Sequence, residues 1–439
     1  MLHLVSLLSK YLLVLLLLLY TYDSFHVFAY QGKDKLQRHV YARQRFYMFF
    51  IHFVGFGLLF LKEYNIQIIG FYLMQVILFA AILAIYRFFY EKTSELLLNN
   101  MVLLLMVGMV MLTRLNFDHA WKQFLILIAA MVVSLFIPLI LSKNQGFRNL
   151  KYWYYGASII GLLLVLIIGA VSYGAKLSIS LGPVSIQPSE FIKILYVFFL
   201  ASMLREDVSF KNLVITAVMA GVLVLILVAS KDLGSALIFY LAFLMMLYVA
   251  TGKKQYLFLG IVFLVVASVA GYYLFSHVQT RVIAWINPLS VIDDKGYQIC
   301  KSLFAIGTGG WFGLGLNQGL PNTIPVVEQD FIFSAIAEEL GGVFALCILA
   351  VCANCFFMII NVAMGLKEQF YRLVALGLGC VYGVQVILTV GGAVKFIPST
   401  GVTLPFVSYG GSSLMASMLT FAVVQALYIV KSDESEKAK

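Results

Sequence analysis

Long, nearly continuous runs of apolar residues dominate this chain and restrict what it can fold into. Charged residues make up only 11% of the 439 residues, against about a quarter in a soluble domain. A membrane-crossing helix needs roughly 20 apolar residues, and windows of that kind give about thirteen candidate spans. They lie at 4–20, 47–61, 67–89, 99–114, 122–141, 152–172, 188–204, 211–229, 233–250, 255–275, 331–361, 369–392 and 404–430. Because the runs do not alternate with polar residues, they predict an all-α polytopic membrane protein and not a membrane barrel.

The basic residues give these spans a direction. The net charge of +10 is concentrated in short connections between spans. These connections contain Lys33, Lys35, Arg38, Arg43 and Arg45; Lys143, Arg148 and Lys151; Lys253 and Lys254; Lys367 and Arg372; and Lys431. With thirteen spans they all fall on one side, which the positive-inside rule identifies as the cytoplasm. The N-terminus is then predicted outside and the C-terminus in the cytoplasm, and nucleic acid is not expected as a partner.

The first apolar run has a second interpretation. Residues 4–20 resemble the apolar part of a secretory signal peptide, with Val27, Phe28 and Ala29 as a cleavage site. Cleavage would leave the basic residues from Lys33 to Arg45 outside the cell, against the positive-inside rule. We therefore favour an uncleaved membrane anchor.

The amino-acid composition of the spans changes near residue 99. The earlier spans are rich in leucine and aromatic residues and nearly free of charge, so 1–98 is predicted to be an accessory N-terminal transmembrane module. Charged residues and prolines interrupt the later spans, so 99–430 is predicted to be the functional core, followed by a cytoplasmic tail at 431–439. The core contains a long, glycine-rich outer loop at 276–330, and loops of such length are usually functional.

The cysteine and histidine residues indicate neither a disulfide framework nor a metal site. Four of the five cysteines lie in predicted apolar helices, where a small core residue is expected. The six histidines are scattered, without the spacing of metal ligands. Function is therefore expected from other polar side chains of the core.

Two motifs place charged residues where spans begin. Residues 187–193 open a predicted helix with Pro188 at its first position, and Glu190 and Lys193 share one face of that helix. They form either a structural ion pair in a capped helix or a charged pair that lines an outer cavity. Asp232 precedes another span, which its side chain can cap.

Two further motifs lie toward the C-terminus. Asp330 precedes an apolar run, with Glu338 and Glu339 two turns further in. A carboxylate near hydrocarbon is costly and usually has a function. Residues 396–413 contain two prolines and three glycines, and are either a kinked helix entrance or the lining of a cavity, with polar Ser408, Tyr409, Ser412 and Ser413. All four motifs fall on the predicted outer side, which suggests one outward-facing site.

In this order, the motifs resemble those of the SEDS family (shape, elongation, division and sporulation), the bacterial FtsW, RodA and SpoVE proteins. The matching segments are Q-P-S-E-x-x-K at 187–193, D-L-G-S-A at 232–236, G-Y-Q at 296–298 with A-I-G-T-G-G at 305–310, D-F-I-F-x-x-x-x-E-E-x-G at 330–341, and T-G-V-x-L-P-F-V-S-Y-G-G-S-S at 400–413. Departures from the usual pattern are Pro325-Val326, Ser230-Lys231, Lys301 and Lys176-Leu177-Ser178. These departures bear on substrate contacts.

The resemblance implies a ten-span core preceded by about three extra N-terminal helices. It implies a peptidoglycan glycosyltransferase that joins lipid II units into glycan strands at the outer face of the cytoplasmic membrane. A class B penicillin-binding protein and other division or elongation proteins are the implied partners. The competing class is a lipid II flippase or another transporter of lipid-linked precursors, since broken helices and intramembrane charge also fit a transporter. A non-catalytic scaffold is a third possibility.

The family's catalytic aspartate corresponds to Asp330, which we expect to act as a general base on the attacking sugar hydroxyl. Arg281 and Lys193 are the cations predicted to stabilise the departing pyrophosphate, and Lys193 would also keep Asp330 ionised. The other cavity candidates are Glu190, Gln187, Ser408, Tyr409 and Ser412. No cofactor is certain, although a divalent cation, Mg²⁺ or Mn²⁺, could share the role of the basic residues. The α-linked donor and β-linked product imply inversion in one displacement.

Overall fold

The computed structural model describes residues 2–30, 32–143, 145–172, 175–181 and 184–437. Within these residues the protein is a bundle of long α-helices, so the predicted all-α polytopic class is confirmed. Helices α1 to α8 are Leu2–His26, Asp34–Glu63, Ile66–Phe89, Glu95–Leu115, Phe117–Lys143, Lys151–Ile168, Pro188–Glu206 and Phe210–Ala229. Helices α9 to α16 are Leu233–Thr251, Lys254–Leu274, Ser276–Ile286, Tyr297–Gly309, Ile332–Leu340, Gly342–Gly365, Gln369–Ala393 and Gly411–Glu436.

A small antiparallel sheet follows α6, where a longer helix was predicted. Strands β1 (Ala170–Ser172), β2 (Ala175–Leu181) and β3 (Val184–Ile186) pair in sequence order. The predicted span at 152–172 therefore ends as a helix at Ile168. In β2, polar and apolar residues alternate with a period of two, which favours a strand over a helix.

The structure supports most of the predicted spans, although its described residues give twelve where about thirteen were predicted. Among the described residues, twelve helices are long and apolar enough to cross a membrane. Helix α7 has 19 residues but carries Glu190, Lys193, Arg205 and Glu206, so it is less apolar than the others. It packs against α6, α9 and α15 within the bundle, at the place of the predicted span 188–204. Three of the twelve candidate spans, in α1, α2 and α3, precede residue 94, and the other nine follow it.

One predicted span is two helices. The run at 331–361 breaks at Gly341 into α13 and α14. Gly341 has a φ of +94°, and a Cβ atom there would lie 2.5 Å from the amide nitrogen of Gly313. Only glycine accommodates both the backbone conformation and this approach. The break leaves α13 as a short, buried helix below the outer loop.

Helix α4 lies at the centre of the bundle, whereas α10 lies at its edge. Residues 96–113 of α4 are all buried, and the Ser94 hydroxyl caps the helix by accepting a hydrogen bond from Leu97 N. The predicted boundary between module and core, at residue 98, falls inside this helix. Helix α10 has no buried residue and packs mainly against α9 and α11.

Uncharged polar side chains join the N-terminal helices to the core. Asn100 Oδ1 accepts a hydrogen bond from Tyr20 Oη at 2.9 Å, and Asn100 Nδ2 donates to Asn354 Oδ1 at 2.7 Å. Asn354 Nδ2 donates to the carbonyl of Ser24, whose hydroxyl accepts from Gln44 Nε2. All five side chains are buried, and we call them the amide network. The network connects α1 and α2 with α4 and α14.

Ion pairs mark the two ends of the bundle. The connections predicted to be cytoplasmic meet at one end, through Lys92–Asp433 and Arg148–Glu368. The loops that carry the four motifs meet at the other end, where Arg114 pairs with Glu339 at 3.0 Å. The shared side expected for the motifs is therefore present in the fold.

Candidate active site

Asp330 lies at the end of the outer loop, two residues before α13 begins. Its charged neighbour is Arg281, from α11. Both side chains border Gly401: a Cβ atom there would lie 3.5 Å from Arg281 Nη2 and 3.7 Å from Asp330 Oδ2. Gly401 has a φ of +75°, a conformation that favours glycine. Three parts of the chain thus meet at the carboxylate: the last residues of the outer loop, α11 at the start of that loop, and the connection between α15 and α16.

Burial and charge act in opposite directions on Asp330. Burial raises its pKa from 3.8 to about 6, and the guanidinium of Arg281 opposes part of this rise. Burial also lowers the pKa of Arg281, while the carboxylates of Asp330 and Asp232 favour its charged form. A carboxyl group that titrates near neutral pH is suited to accept a proton from a substrate.

Ser408 and Tyr409, predicted as cavity residues, hold the chain directly before the carboxylate. Ser408 Oγ donates a hydrogen bond to the carbonyl of Gln329, and Tyr409 N donates to the carbonyl of Glu328 at 2.7 Å. The Tyr409 ring stacks on the imidazole of His119, with centroids 4.2 Å apart. His119 Nδ1 in turn lies 3.1 Å from Glu328 Oε1. Two adjacent carbonyls and one side chain of this segment are therefore fixed.

The motifs around Gln187 and Asp232 contact each other at the same end of the bundle. Gln187 N donates to Ser412 Oγ at 2.9 Å, and its side-chain amide donates to Ser189 Oγ at 3.2 Å. Ser189 Oγ donates to Asp232 Oδ2 at 3.1 Å. Asp232 Oδ1 accepts from Ser235 N at 3.1 Å, which is the capping contact expected from the sequence. The four motifs therefore form one connected region.

Glu190 and Lys193 form a buried ion pair, with Lys193 Nζ 2.9 Å from Glu190 Oε2. Lys193 Nζ also donates to Gln385 Oε1 at 3.0 Å. Lys193 was expected to keep Asp330 ionised, but the cation that acts on this carboxylate is Arg281. The geometry therefore gives Lys193 a place behind the site and Arg281 the place beside the carboxylate.

Glu338 and Glu339 organise the outer loop. Glu338 Oε1 accepts a hydrogen bond from Leu320 N at 3.0 Å, and Glu339 Oε2 accepts from Asn317 N at 3.1 Å. Arg114, near the end of α4, pairs with Glu339. Both glutamates are buried, so they fold the loop and are not placed to meet a substrate.

Comparison with known proteins identifies the fold and the family. A family model described as cell cycle protein, FtsW/RodA/SpoVE, matches residues 94–432. The chain belongs to the FtsW/RodA/SpoVE family. The matched region contains every segment of the candidate site, whereas α1, α2 and α3 precede it. The resemblance based on the motifs is thereby confirmed.

Curated relatives in the FtsW/RodA/SpoVE family carry names for an enzyme or for sporulation. Peptidoglycan glycosyltransferase RodA of Mycobacterium tuberculosis is 34% identical over 375 residues, covering 79% of this chain and 80% of the relative. Stage V sporulation protein E of Bacillus subtilis is 31% identical over 362 residues, covering 76% and 97%. Probable peptidoglycan glycosyltransferase FtsW of Saccharophagus degradans is 31% identical over 382 residues, covering 80% and 96%.

Solved structures of this family have the same fold. One, described as structural coordination of polymerization and crosslinking by a peptidoglycan synthase complex, superimposes with a TM-score of 0.64 at 25% identity, covering 78% of this chain and 98% of that chain. The crystal structure of the Thermus thermophilus rod shape determining protein RodA superimposes with a TM-score of 0.60 at 24% identity, covering 77% and 97%. A multi-pass membrane protein with a RodA-like fold is thus established.

Two buried glutamines of the site were missed in reading the sequence. Gln123 lies in α5 and Gln385 in α15, and each contacts the connection between α15 and α16. The sequence did contain an indication of both glutamines, since a side-chain amide inside an apolar helix is costly unless it is hydrogen-bonded. Which backbone groups they bind could not be read from spacing, because their partners are 285 and 18 residues away.

Proposed function

We propose that this chain is an inverting peptidoglycan glycosyltransferase that polymerises lipid II, with Asp330 as its general base. The observation that carries the proposal is the position of the Asp330 carboxyl group, which borders Gly401 together with Arg281 and whose pKa burial raises to about 6. The names of the relatives and the connection among the four motifs support it.

The chemistry needs one proton acceptor and one site for a leaving anion. Asp330 removes the proton from the 4-hydroxyl of the acceptor lipid II as this oxygen attacks the anomeric carbon of the lipid-linked glycan donor. The bond from that carbon to the diphosphate oxygen breaks, and undecaprenyl pyrophosphate leaves with the electron pair. Attack from the opposite side converts the α-linked donor into a β-linked product, and no covalent intermediate is needed.

Arg281 is the residue best placed to stabilise the departing diphosphate. It lies beside Asp330 and stays charged through the carboxylates of Asp330 and Asp232. The positive charges of Arg281 and Lys231 both act on His277, whose pKa burial and these charges lower. Lys231 is therefore a second cation in the neighbourhood of Arg281. Such a cluster stabilises negative charge that develops on the leaving group. Lys193 acts on the site indirectly, because its ammonium group donates hydrogen bonds to Glu190 and Gln385.

A divalent cation, Mg²⁺ or Mn²⁺, stays a proposal for the same site. Among the described residues, no group of three His, Cys, Asp or Glu side chains could hold a metal ion. Asp330 and Asp232 both act electrostatically on the guanidinium of Arg281. Mg²⁺ is usually held by one or two carboxylates and the substrate phosphates, so such a cation would bind with the diphosphate and add positive charge at the leaving group.

The orientation and the partners follow from the same proposal. The basic connections would face the cytoplasm, which puts the site at the outer face of the membrane, the N-terminus outside and the C-terminus inside. A class B penicillin-binding protein, together with division or elongation proteins, would act beside the chain. A related structure is described as a synthase complex that coordinates polymerization and crosslinking, which supports such a partner.

Polymerisation of lipid II by the purified chain with its penicillin-binding protein tests the proposal. We expect Asp330→Asn to reduce glycan synthesis about 10²- to 10⁴-fold, the usual contribution of a general base. Asp293→Asn is the matched control, since Asp293 is an exposed carboxylate in the same outer loop. Wild-type rates for folded Asp330→Asn would refute the base assignment. Transbilayer movement of lipid II without polymer would favour a flippase.

A further inference from the structure

The 400–410 segment beside Asp330 is held by two buried side-chain amides from two different helices, α5 and α15. Gln385 Nε2, from α15, donates to the carbonyl of Thr403 at 3.0 Å. Gln123, from α5, donates through Nε2 to the carbonyl of Ser408 at 3.1 Å and accepts from Gly410 N at 3.2 Å. Both glutamines are buried, with 4% and 2% of their surface exposed. The backbone from 403 to 410 is thus held by side-chain hydrogen bonds near both of its ends.

Gln385 has one hydrogen-bonding orientation that satisfies its neighbours. Lys193 Nζ can only donate, so it requires the oxygen of the amide, which lies 3.0 Å away. The carbonyl of Thr403 can only accept, so it requires the amide nitrogen. One turn further along α15, Thr389 Oγ1 donates to the carbonyl of Val402 at 2.8 Å. Helix α15 therefore holds two successive carbonyls of the segment.

Both ends of this segment contact the surroundings of Asp330. Ahead of the Gln385 contact, Gly401 borders the side chains of Arg281 and Asp330. Ahead of the Gln123 contact, Ser408 Oγ donates to the carbonyl of Gln329, the residue before Asp330. A displacement at either end therefore moves a wall of the site or the residue that carries the base.

We propose that Gln123 and Gln385 are positioning residues that fix the 400–410 segment against Asp330 and Arg281. Neither amide touches the carboxylate, so each acts through the backbone that it holds. Gln385 also connects this segment to the Glu190–Lys193 pair, which explains why a buried ion pair lies behind the site. A displacement of about 1 Å at a reacting group can lower a rate about 100-fold. The inference rests on Asp330 as the base.

A set of glutamine-to-methionine variants tests the proposal. Methionine keeps the length and buried volume but removes both hydrogen-bonding groups. We expect Gln385→Met and Gln123→Met each to lower kcat 10- to 100-fold with little change in KM for lipid II. Gln385→Glu keeps an acceptor for Lys193 but loses the donor to Thr403, so it should resemble Gln385→Met in kcat.

Gln425→Met is the matched control. Gln425 is also buried, and its side chain also binds backbone at both ends, to Ser94 N at 2.9 Å and Ser94 O at 3.0 Å. It lies toward the opposite end of the bundle, in α16. We expect it to lower the unfolding temperature as much as the other two variants do, with kcat unchanged.

The pH profile separates positioning from general destabilisation. The charge that acts directly on Asp330 is that of Arg281 in α11. Arg281 in turn interacts electrostatically with Asp232 and His277, and Lys231 acts on His277. The other titratable groups nearby are Glu328 and His119 beside the Asp330 segment, and Glu190 and Lys193 behind Gln385. Because burial is the largest effect on Asp330, loosening the segment should admit water and move the acid limb of kcat to lower pH. The limb should stay in place for Gln425→Met.

Equal losses of kcat in all three methionine variants, or wild-type kcat in Gln123→Met and Gln385→Met, would overturn the inference. Either result leaves the base assignment intact if Asp330→Asn remains inactive. An active Asp330→Asn enzyme would instead remove the base assignment on which the inference rests.

Discussion

The bundle contains two buried polar regions that differ in charge. The amide network, between α1, α2, α4 and α14, consists of neutral side chains that are hydrogen-bonded to one another. The region around Asp330 contains carboxylates and basic side chains, and its central carboxylate is only half-buried. The first region joins an N-terminal module to the core, whereas the second brings together the loops at one end.

The difference indicates what each region is for. Neutral hydrogen bonds between membrane helices contribute modestly to association and do not change with pH. A carboxylate beside an arginine is costly to bury and responds to pH, so its presence is explained by chemistry and not by stability. The two regions should therefore separate in experiment, one affecting stability and the other affecting rate.

Among variants that keep the Asp330 carboxylate, the largest effect is expected at Arg281. Arg281→Met removes the cation beside the leaving group and should lower kcat about 10²- to 10³-fold, the usual loss for one preorganised group at developing charge. Arg281→Lys should restore part of the rate. Arg148→Met is the control, since Arg148 pairs with Glu368 at the opposite end and a partly exposed pair contributes little. Turnover of the lipid-linked donor measures the effect. A wild-type rate in Arg281→Met would contradict the claim that the charged region serves catalysis and the amide network serves stability.

Asp330→Asn should stabilise the fold while it removes activity. The folded pKa of about 6 exceeds the usual 3.8, so stability is fully present below about pH 4 and falls as the pH rises through 6. Asparagine avoids this loss, and the gain at pH 7.5 should be about 1–3 kcal/mol. Thermal unfolding in detergent at pH 7.5 and pH 4 measures it. A variant less stable than wild type at pH 7.5 would contradict the raised pKa.

The rate of polymerisation should follow the ionisation of Asp330. Below a pKa of about 6 the base is protonated, so kcat/KM should fall about tenfold for each pH unit. Above this pKa the rate should level off. Initial rates between pH 4.5 and 8 test this, with the unfolding temperature followed in parallel. A limb near pH 4 would indicate that water reaches the carboxylate freely.

The smallest effect is expected in the amide network. Asn100→Leu removes the partner of Tyr20 and Asn354, and should cost about 1 kcal/mol of stability with kcat unchanged. Asn354→Leu should act similarly. Because the two asparagines bond to each other, the double variant should lose less than the sum of the single losses. A large fall in kcat in either variant would show that the module contributes to catalysis.

Much of the fold was readable from the sequence, because apolar runs of the required length have few alternatives to spanning helices. The exceptions have local causes. The break at Gly341 depends on the approach of the chain at Gly313, 28 residues earlier, which hydropathy does not report. The strands after Ile168 were hidden by an apolar run that continues past the end of the helix.

The site was readable in part. The motifs indicated Asp330 and the Glu190–Lys193 pair, Arg281 was predicted as a nearby cation, and the fold places all four residues at one end. The choice between Lys193 and Arg281 as the cation beside Asp330 depends on how α11 packs against the loops, and no spacing along the chain determines that contact. Spacing indicated that Asp232 could cap α9, because a cap involves residues three apart.

The charges of α7 also affect how the chain is made. A charged residue adds about 2.5–3.5 kcal/mol to the cost of inserting a span when it lies at the helix centre, and less near a helix end, where Glu190 and Lys193 lie. During synthesis, Lys193 emerges 192 residues before Gln385, so this final partner does not yet exist when α7 reaches the membrane. Glu190, on the same helix face, can pair with Lys193 as soon as the helix forms. The ion pair thus gives α7 a way to enter the bilayer, packed against α6, long before the site is assembled.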